Sequence, residues 1–197
     1  MKKWLPLIVI VILVYLCYSW GKGINNTAVE YDENVKEAWG NVQTSYQRRN
    51  DLIGNLVNTV KGAADFEKST LEAVITARSK ATSTTIDPSN ITAEQLQQFN
   101  QAQGGLSSAL SRLLVTVERY PDLKANQNFL KLQDELVSTE NTIQTARVRY
   151  NESIKPYNEH VRKFPNNLLA GTLGFSPKPY FDAEVGAEKP VEVDFNS

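Results

Sequence analysis

From Leu96 to Tyr120 the chain repeats one spacing: Leu96, Phe99, Gln103, Leu106, Leu110, Leu113, Val117 and Tyr120 follow at alternating steps of three and four. A second run does the same through Phe129, Leu132, Leu136, Thr139, Ile143, Ala146, Tyr150, Ser153, Tyr157 and His160. Such a period puts every member on one stripe of an α-helix, and a strand cannot satisfy it. A stripe this narrow is buried against other helices, in antiparallel packing. Two shorter stripes precede these, Tyr31, Val35, Ala38/Trp39, Val42 and Tyr46, then Ile53, Val57, Val60, Ala64, Leu71 and Val74. The expected fold is therefore all-α, an up-and-down four-helix bundle.

The boundaries follow from capping chemistry. Helix one is expected over about residues 27–46. The polar stretch Gln47-Arg-Arg-Asn-Asp51 is the preferred turn, because Asn and Asp offer N-cap oxygens. The alternative is one rod through both stripes, bent near Gly54, since the apolar phase passes Arg49 unbroken. A loop is expected over Thr82–Asn90, which contains Pro88. Thr92-Ala-Glu-Gln95 reads as a capping box opening helix three, and Pro121 closes that helix. Pro156 lacks an N–H for the carbonyl of Glu152, so helix four is expected to bend there and resume.

Ahead of the bundle, Trp4 to Tyr18 and on to Trp20 runs without a charged residue. These seventeen positions span roughly 25 Å as a helix, a little less than a ~30 Å hydrocarbon core. Trp4, Tyr18 and Trp20 fall where interfacial aromatic belts belong. The reading is a transmembrane anchor that contacts the bilayer through residues 4–20. A cleaved signal peptide, with Ser19 and Gly21 near the cut, fits less well because the run is long and flanked by aromatics. Lipidation at Cys17 fits least, because Leu16 stands where processing requires a small residue. Lys2 and Lys3 precede the run and Lys22 follows it, which places the N-terminus in the cytoplasm and the bundle outside it. The chain then divides into an anchor at 1–23, a bundle at 24–165 and an irregular tail at 166–197 packing on it.

Several function classes are disfavoured. The chain has 21 Lys+Arg against 22 Asp+Glu, a mixed surface without the basic stripe that nucleic acid requires. Its one cysteine precludes an intramolecular disulfide, and its one histidine precludes a histidine-based metal cluster. No nucleophile–base pair, phosphate loop or Glu-x-x-His pair marks an enzyme or its cofactor, so neither catalysis, cofactor nor metal is expected.

Linked motifs then carry a resemblance. Glu37-Ala-Trp-Gly-Asn-Val42, Tyr46-Gln-Arg-Arg-Asn-Asp-Leu-Ile53, Asn55-Leu-Val-Asn-Thr-Val-Lys-Gly62 and Glu67-Lys-Ser-Thr-Leu-Glu72 resemble the LemA family in order and spacing. Ser111-Arg-Leu-Leu114, Val117-Glu-Arg-Tyr-Pro-Asp-Leu-Lys124, Thr139-Glu-Asn-Thr-Ile-Gln-Thr-Ala-Arg147 and Tyr150-Asn151 continue it, as do Phe164-Pro165, Gly174-Phe175 and Pro179-Tyr-Phe181. The resemblance implies a bromodomain-like four-helix bundle on a membrane helix, in a family with no established biochemical activity. Two positions depart from it. Gly54 stands where the family commonly has proline, and Phe66 where it often has histidine.

Within those motifs Arg48, Arg49, Asp51, Asn55 and Lys61 form the densest polar group. It reads either as an anion or partner site at the start of helix two, where free N–H groups gather, or as a corner held by caps and ion pairs. Glu118 and Arg119 offer a second candidate contact for a partner, against a plain helix-end role. The leading functional expectation is an envelope interaction or scaffold protein, binding other proteins or itself. The alternative is an extracytoplasmic ligand-binding sensor-like bundle working through a partner protein. Helix parity returns Phe164 toward the bilayer, so Leu168-Leu-Ala-Gly-Thr-Leu-Gly-Phe175 either lies at the membrane surface or covers the open end of the bundle. Val191-Glu-Val-Asp-Phe195 alternates like a strand that could dock on a partner's sheet edge. Residues 24–197, freed of the anchor, are expected to be soluble, highly helical and cooperative in unfolding by circular dichroism; persistent aggregation would contradict this.

Overall fold

A computed structural model describes residues 4–62 and 66–182. The strand-like stretch 191–195 lies outside them. Among the described residues all regular structure is helical: α1 Leu5–Lys61, α2 Lys68–Ser83, α3 Ala93–Val117, α4 Pro121–Lys124, α5 Gln127–Arg162 and α6 Asn167–Ala170.

The expected turn at 47–51 is not there. α1 is one helix of 57 residues, from the apolar segment through the whole bundle. Asn and Asp in a helix interior cost only about 0.7 kcal/mol each. Against that stands an unbroken buried stripe: Tyr46, Arg49, Asn50, Ile53, Leu56, Val57 and Val60 all face inward. Continuity of burial outweighs the local capping preference. The chain instead leaves the helix at Gly62, and Glu67, with extended backbone, is the N-cap of α2. Ile53, Val57 and Val60 thus belong to α1, while Leu71 and Val74 belong to α2.

Of the other boundaries, α3 stops at Val117, short of the expected close at Pro121, which instead takes the first position of α4; the rest follow the sequence closely. Thr92 caps α3 in a full capping box, its Oγ1 accepting from the Gln95 N–H while the Gln95 side chain accepts from the Thr92 N–H. Asn126 caps α5 by accepting from the N–H groups of Asn128 and Phe129. α5 runs on through Pro156 to Arg162. Its stripe buries Phe129, Leu136, Thr139, Ile143, Ala146, Tyr150 and Tyr157.

α1 and α5 form an antiparallel pair of nearly equal reach. Beyond Ile24, α1 extends ~57 Å, and the 36 residues of α5 extend ~54 Å. His160 near the end of α5 meets the carbonyl of Ile24 at 3.0 Å, so the pair is in step along its full length. α2 and α3 are shorter: α2 covers the half distal to the apolar segment, and α3 spans that half but starts lower, its first turns adding Leu96 and Phe99 to the other half. In the distal half Ile53, Leu56, Val60, Val74, Leu106, Leu113 and Phe129 make one core. In the other half Val35, Trp39, Phe99, Ile143, Tyr150 and Tyr157 make a second core, closed by Phe181 from the C-terminal segment. The tail's role as a cover for the bundle is therefore real for Phe181, which is buried, and for Phe175, which is partly buried.

Gln47 is exposed on the continuous stretch of α1. Proline there should lower the unfolding free energy of the detergent-solubilised chain by about 3 kcal/mol, read as a lower urea midpoint. A turn at 47–51 would tolerate the substitution with an unchanged midpoint.

Candidate interaction surface

The continuity of α1 removes the free N–H groups on which an anion site at residues 47–51 would depend. Its residues separate onto different faces. Arg48 is exposed and Arg49 is buried. Asp51 faces Arg78 of α2 at 4.0 Å, and Asn55 and Lys61 line the same shallow groove between α1 and α2. Gly54 serves a close approach here. A Cβ at this position would stand 3.1 Å from the Arg78 guanidinium, which crosses α1 to donate to the Asn50 carbonyl at 2.7 Å. Glu118 pairs with Lys124, and Arg119 pairs with Glu67 at 3.0 Å, so both charges at the end of α3 are engaged within the chain. Phe66, in place of histidine, packs against Tyr120 with ring centroids 4.8 Å apart.

Arg49 is the member that organises its surroundings. Its side chain is 5% exposed, and it donates to Gln103 Oε1 at 2.6 Å, Ser107 Oγ at 3.2 Å and Glu140 Oε2 at 3.2 Å. Gln103 in turn donates to the Ala81 carbonyl at 3.4 Å. One guanidinium thereby links α1, α3 and α5 directly and α2 through Gln103. Desolvating a cation is costly, and charge-assisted hydrogen bonds to three acceptors offset it. Around Arg49 lies an open groove of about 920 Å³ between α3 and α5, lined by Gln97, Asn100, Gln103, Ser107, Glu140 and Arg147. Amide and charged side chains line it beside Tyr46, Leu96, Pro179 and Tyr180, and it is open to solvent, unlike an enclosed apolar ligand cavity.

The other half holds polar groups that the sequence places only in part: Asn151 falls within the LemA-like motifs and Asn158 beside the α5 stripe, but neither the segment they hold nor the role of Lys178 is expected from residue order. Pro177 and Pro179 hold the backbone around Lys178 extended. Asn158 grips this strand-like segment at both groups of one residue: Nδ2 donates to the Lys178 carbonyl and Oδ1 accepts from its N–H, each at 2.8 Å. Asn151 does the same to Phe181 at 3.0 and 2.8 Å. The spacing matches, since seven helical residues rise ~10.5 Å and three extended residues span ~10 Å. Two asparagines seven apart, facing a Pro-x-Pro segment, are the signal that would have found it.

The Lys178 side chain is 5% exposed and pairs with Asp32 of α1 at 2.8 Å, while also donating to the Pro88 carbonyl at 3.0 Å. Lys36 pairs with the same carboxylate at 2.9 Å. Burial alone would raise the Asp32 pKa, but the ammonium groups of Lys178 and Lys36 outweigh it and hold the carboxyl below its ordinary range. Lys36 is pushed above the usual lysine range by its bonds to Glu33 and Asp32. Burial, followed by the nearby Asp32 charge, pushes the Tyr157 phenol up to about 12.

With this geometry in view, comparison with known proteins is decisive about kinship. The model of the LemA family matches residues 38–195. The chain belongs to the LemA family. It is 28% identical over 183 residues to magnetosome protein MamQ 2 of Paramagnetospirillum magneticum, covering 84% of this chain and 67% of that protein. It is 27% identical over 183 residues to magnetosome protein MamQ of Magnetospirillum gryphiswaldense, with the same coverage. Protein LemA of Metamycoplasma hominis is 22% identical over 182 residues, covering 92% of this chain and 80% of its own length. The LemA match spans the Arg49 groove and the segment held by Asn151 and Asn158. With one helix apolar and long enough to cross a bilayer among the described residues, this LemA protein is membrane-associated.

Because the folded-state pKa of Asp32 is depressed, its contribution to stability is present above the ordinary carboxylate value of 3.8 and lost as pH falls through the lowered native value. Asp32→Asn should therefore flatten the acid dependence of stability below that value, measured by denaturant unfolding from pH 5 downward. An acid profile identical to that of the native chain would contradict the pairing.

Proposed function

We propose that this LemA protein is a non-catalytic docking protein that holds partner proteins, or further copies of itself, at the surface of the cell membrane, with its bundle on the extracytoplasmic side. The observation that carries this reading is the unbroken α1, because a helix without a joint holds the bundle at a set height and tilt over the bilayer. A flexible tether would suit a freely diffusing domain. A rigid rod suits a fixed display. Lys2 and Lys3 ahead of the apolar run support the outward orientation. The Arg49 groove supplies a face with amide and charged groups for recognition, and Arg48 is exposed elsewhere on α1. Among the described residues no group of three or more His, Cys, Asp or Glu side chains gathers as metal ligands. Three relatives carry the name of a magnetosome protein, which names a cellular structure and no reaction.

In-cell photocrosslinking tests the reading. A photoreactive residue at Gln97 or Asn100, in the groove, should give a discrete crosslinked product. The same residue at Val137, exposed on α5 outside the groove, should not. Identical behaviour at the three positions would overturn the groove as the docking face.

A further inference from the structure

The base of the bundle carries apolar side chains that its own core does not use. Phe164 is 79% exposed, Leu168 63% and Leu173 41%. All three lie in the segment between the end of α5 and the return of the chain along it. The path is fixed at both ends. On the way down, His160 meets Ile24, and its Nδ1 accepts from the Asn166 amide at 3.3 Å. On the way up, Lys178 is already level with Asn158. Between them α6 reaches Gly21, where Leu169 Cδ1 lies 4.0 Å from the position of a Cβ. Gly174, at φ 87°, permits the reversal that lets the Phe175 N–H donate to the Ala170 carbonyl at 2.9 Å.

Gly21 directly follows Trp20, the last residue of the uncharged run. No joint separates that run from the bundle. We propose that residues 164–173 form a second membrane contact, an apolar collar that enters the headgroup layer of the phospholipid bilayer beside the anchor. The occupant is lipid because the patch is continuous with the membrane-spanning helix and sits at its exit. The seventeen-residue run spans roughly 25 Å, short of a ~30 Å core, and apolar side chains at Gly21 level make up the difference at that end. Lys22 and Arg162 are exposed at the same level, placed for phosphate groups. Ala170 is buried, so α6 keeps one side for the bundle and offers Leu168 outward.

The test uses the full chain in phosphatidylcholine vesicles, with Cys17→Ser removing the native thiol. Single cysteines replacing Leu168 or Val137 carry an environment-sensitive fluorophore; both positions are exposed, so neither label disturbs the core. The label at 168 should be quenched by nitroxide-bearing lipid at least about twofold more than the label at 137, and should be shielded from aqueous iodide, as expected at an interface. Equal iodide access at the two positions, with no extra quenching by lipid, would overturn the proposal. Helicity measured by circular dichroism on both labelled chains confirms that the comparison is between folded proteins. The outcome is independent of whether the Arg49 groove binds a protein.

Discussion

A seam of two long antiparallel helices cannot bury itself, and this constraint shapes the molecule. α1 and α5 run in step from Ile24 and His160 to the far end of the bundle, but α2 lies against the distal half, and α3 enters the proximal half only with its first turns, at Leu96 and Phe99. Phe99 of α3 meets Trp39 edge-on, but without a further cover the Trp39 ring face, Tyr150 and Tyr157 would stand open to water. The chain meets this by bringing its C-terminal segment back along the seam. Phe181 stacks on Trp39 at 5.9 Å and meets the edge of Tyr150 at 5.2 Å. An extended peptide does there what two helices do above it.

The two halves are secured by different physics. Distally, apolar side chains of α1, α2, α3 and α5 interdigitate, and where the two cores meet Arg49 makes helix positions that are far apart in sequence mutually dependent. Proximally, the cover has no helix of its own and so no internal hydrogen bonds. Its backbone polar groups must be satisfied from outside, and Asn151 and Asn158 supply donor and acceptor at one residue each. The Lys178–Asp32 pair then ties this cover to α1 as well as α5. The C-terminal segment that closes this seam, at Pro179, Tyr180 and Asp182, also forms one wall of the open groove beside Arg49.

Much of the fold was legible in residue order. The stripes of α3 and α5, the Thr92 capping box and the loop around Pro88 all follow from local chemistry, and the structure keeps them, although α3 stops at Val117 and Pro121 opens α4 instead of closing α3. The division of the first two stripes was not legible. Residues 47–51 look like a corner because Asn, Asp and Arg favour one locally. What holds them in a helix is non-local: Arg49 finds Gln103, Ser107 and Glu140, and the Asn50 carbonyl accepts from Arg78. The candidate site changed with it, since the expected helix start became the flank of a groove.

By itself, the sequence determined that this chain is helical, that its helices pack as an antiparallel bundle, and that an apolar segment precedes them. Those properties depend on period and composition, which a single stretch of residues carries within itself. Tertiary structure alone decided that the first helix has no joint, that Arg49 faces two other helices while Arg48 faces solvent, and that Lys178 closes on Asp32. Each of these is a choice between conformations that cost nearly the same locally. The difference between them comes only when distant side chains arrive to bury, pair or accept a hydrogen bond.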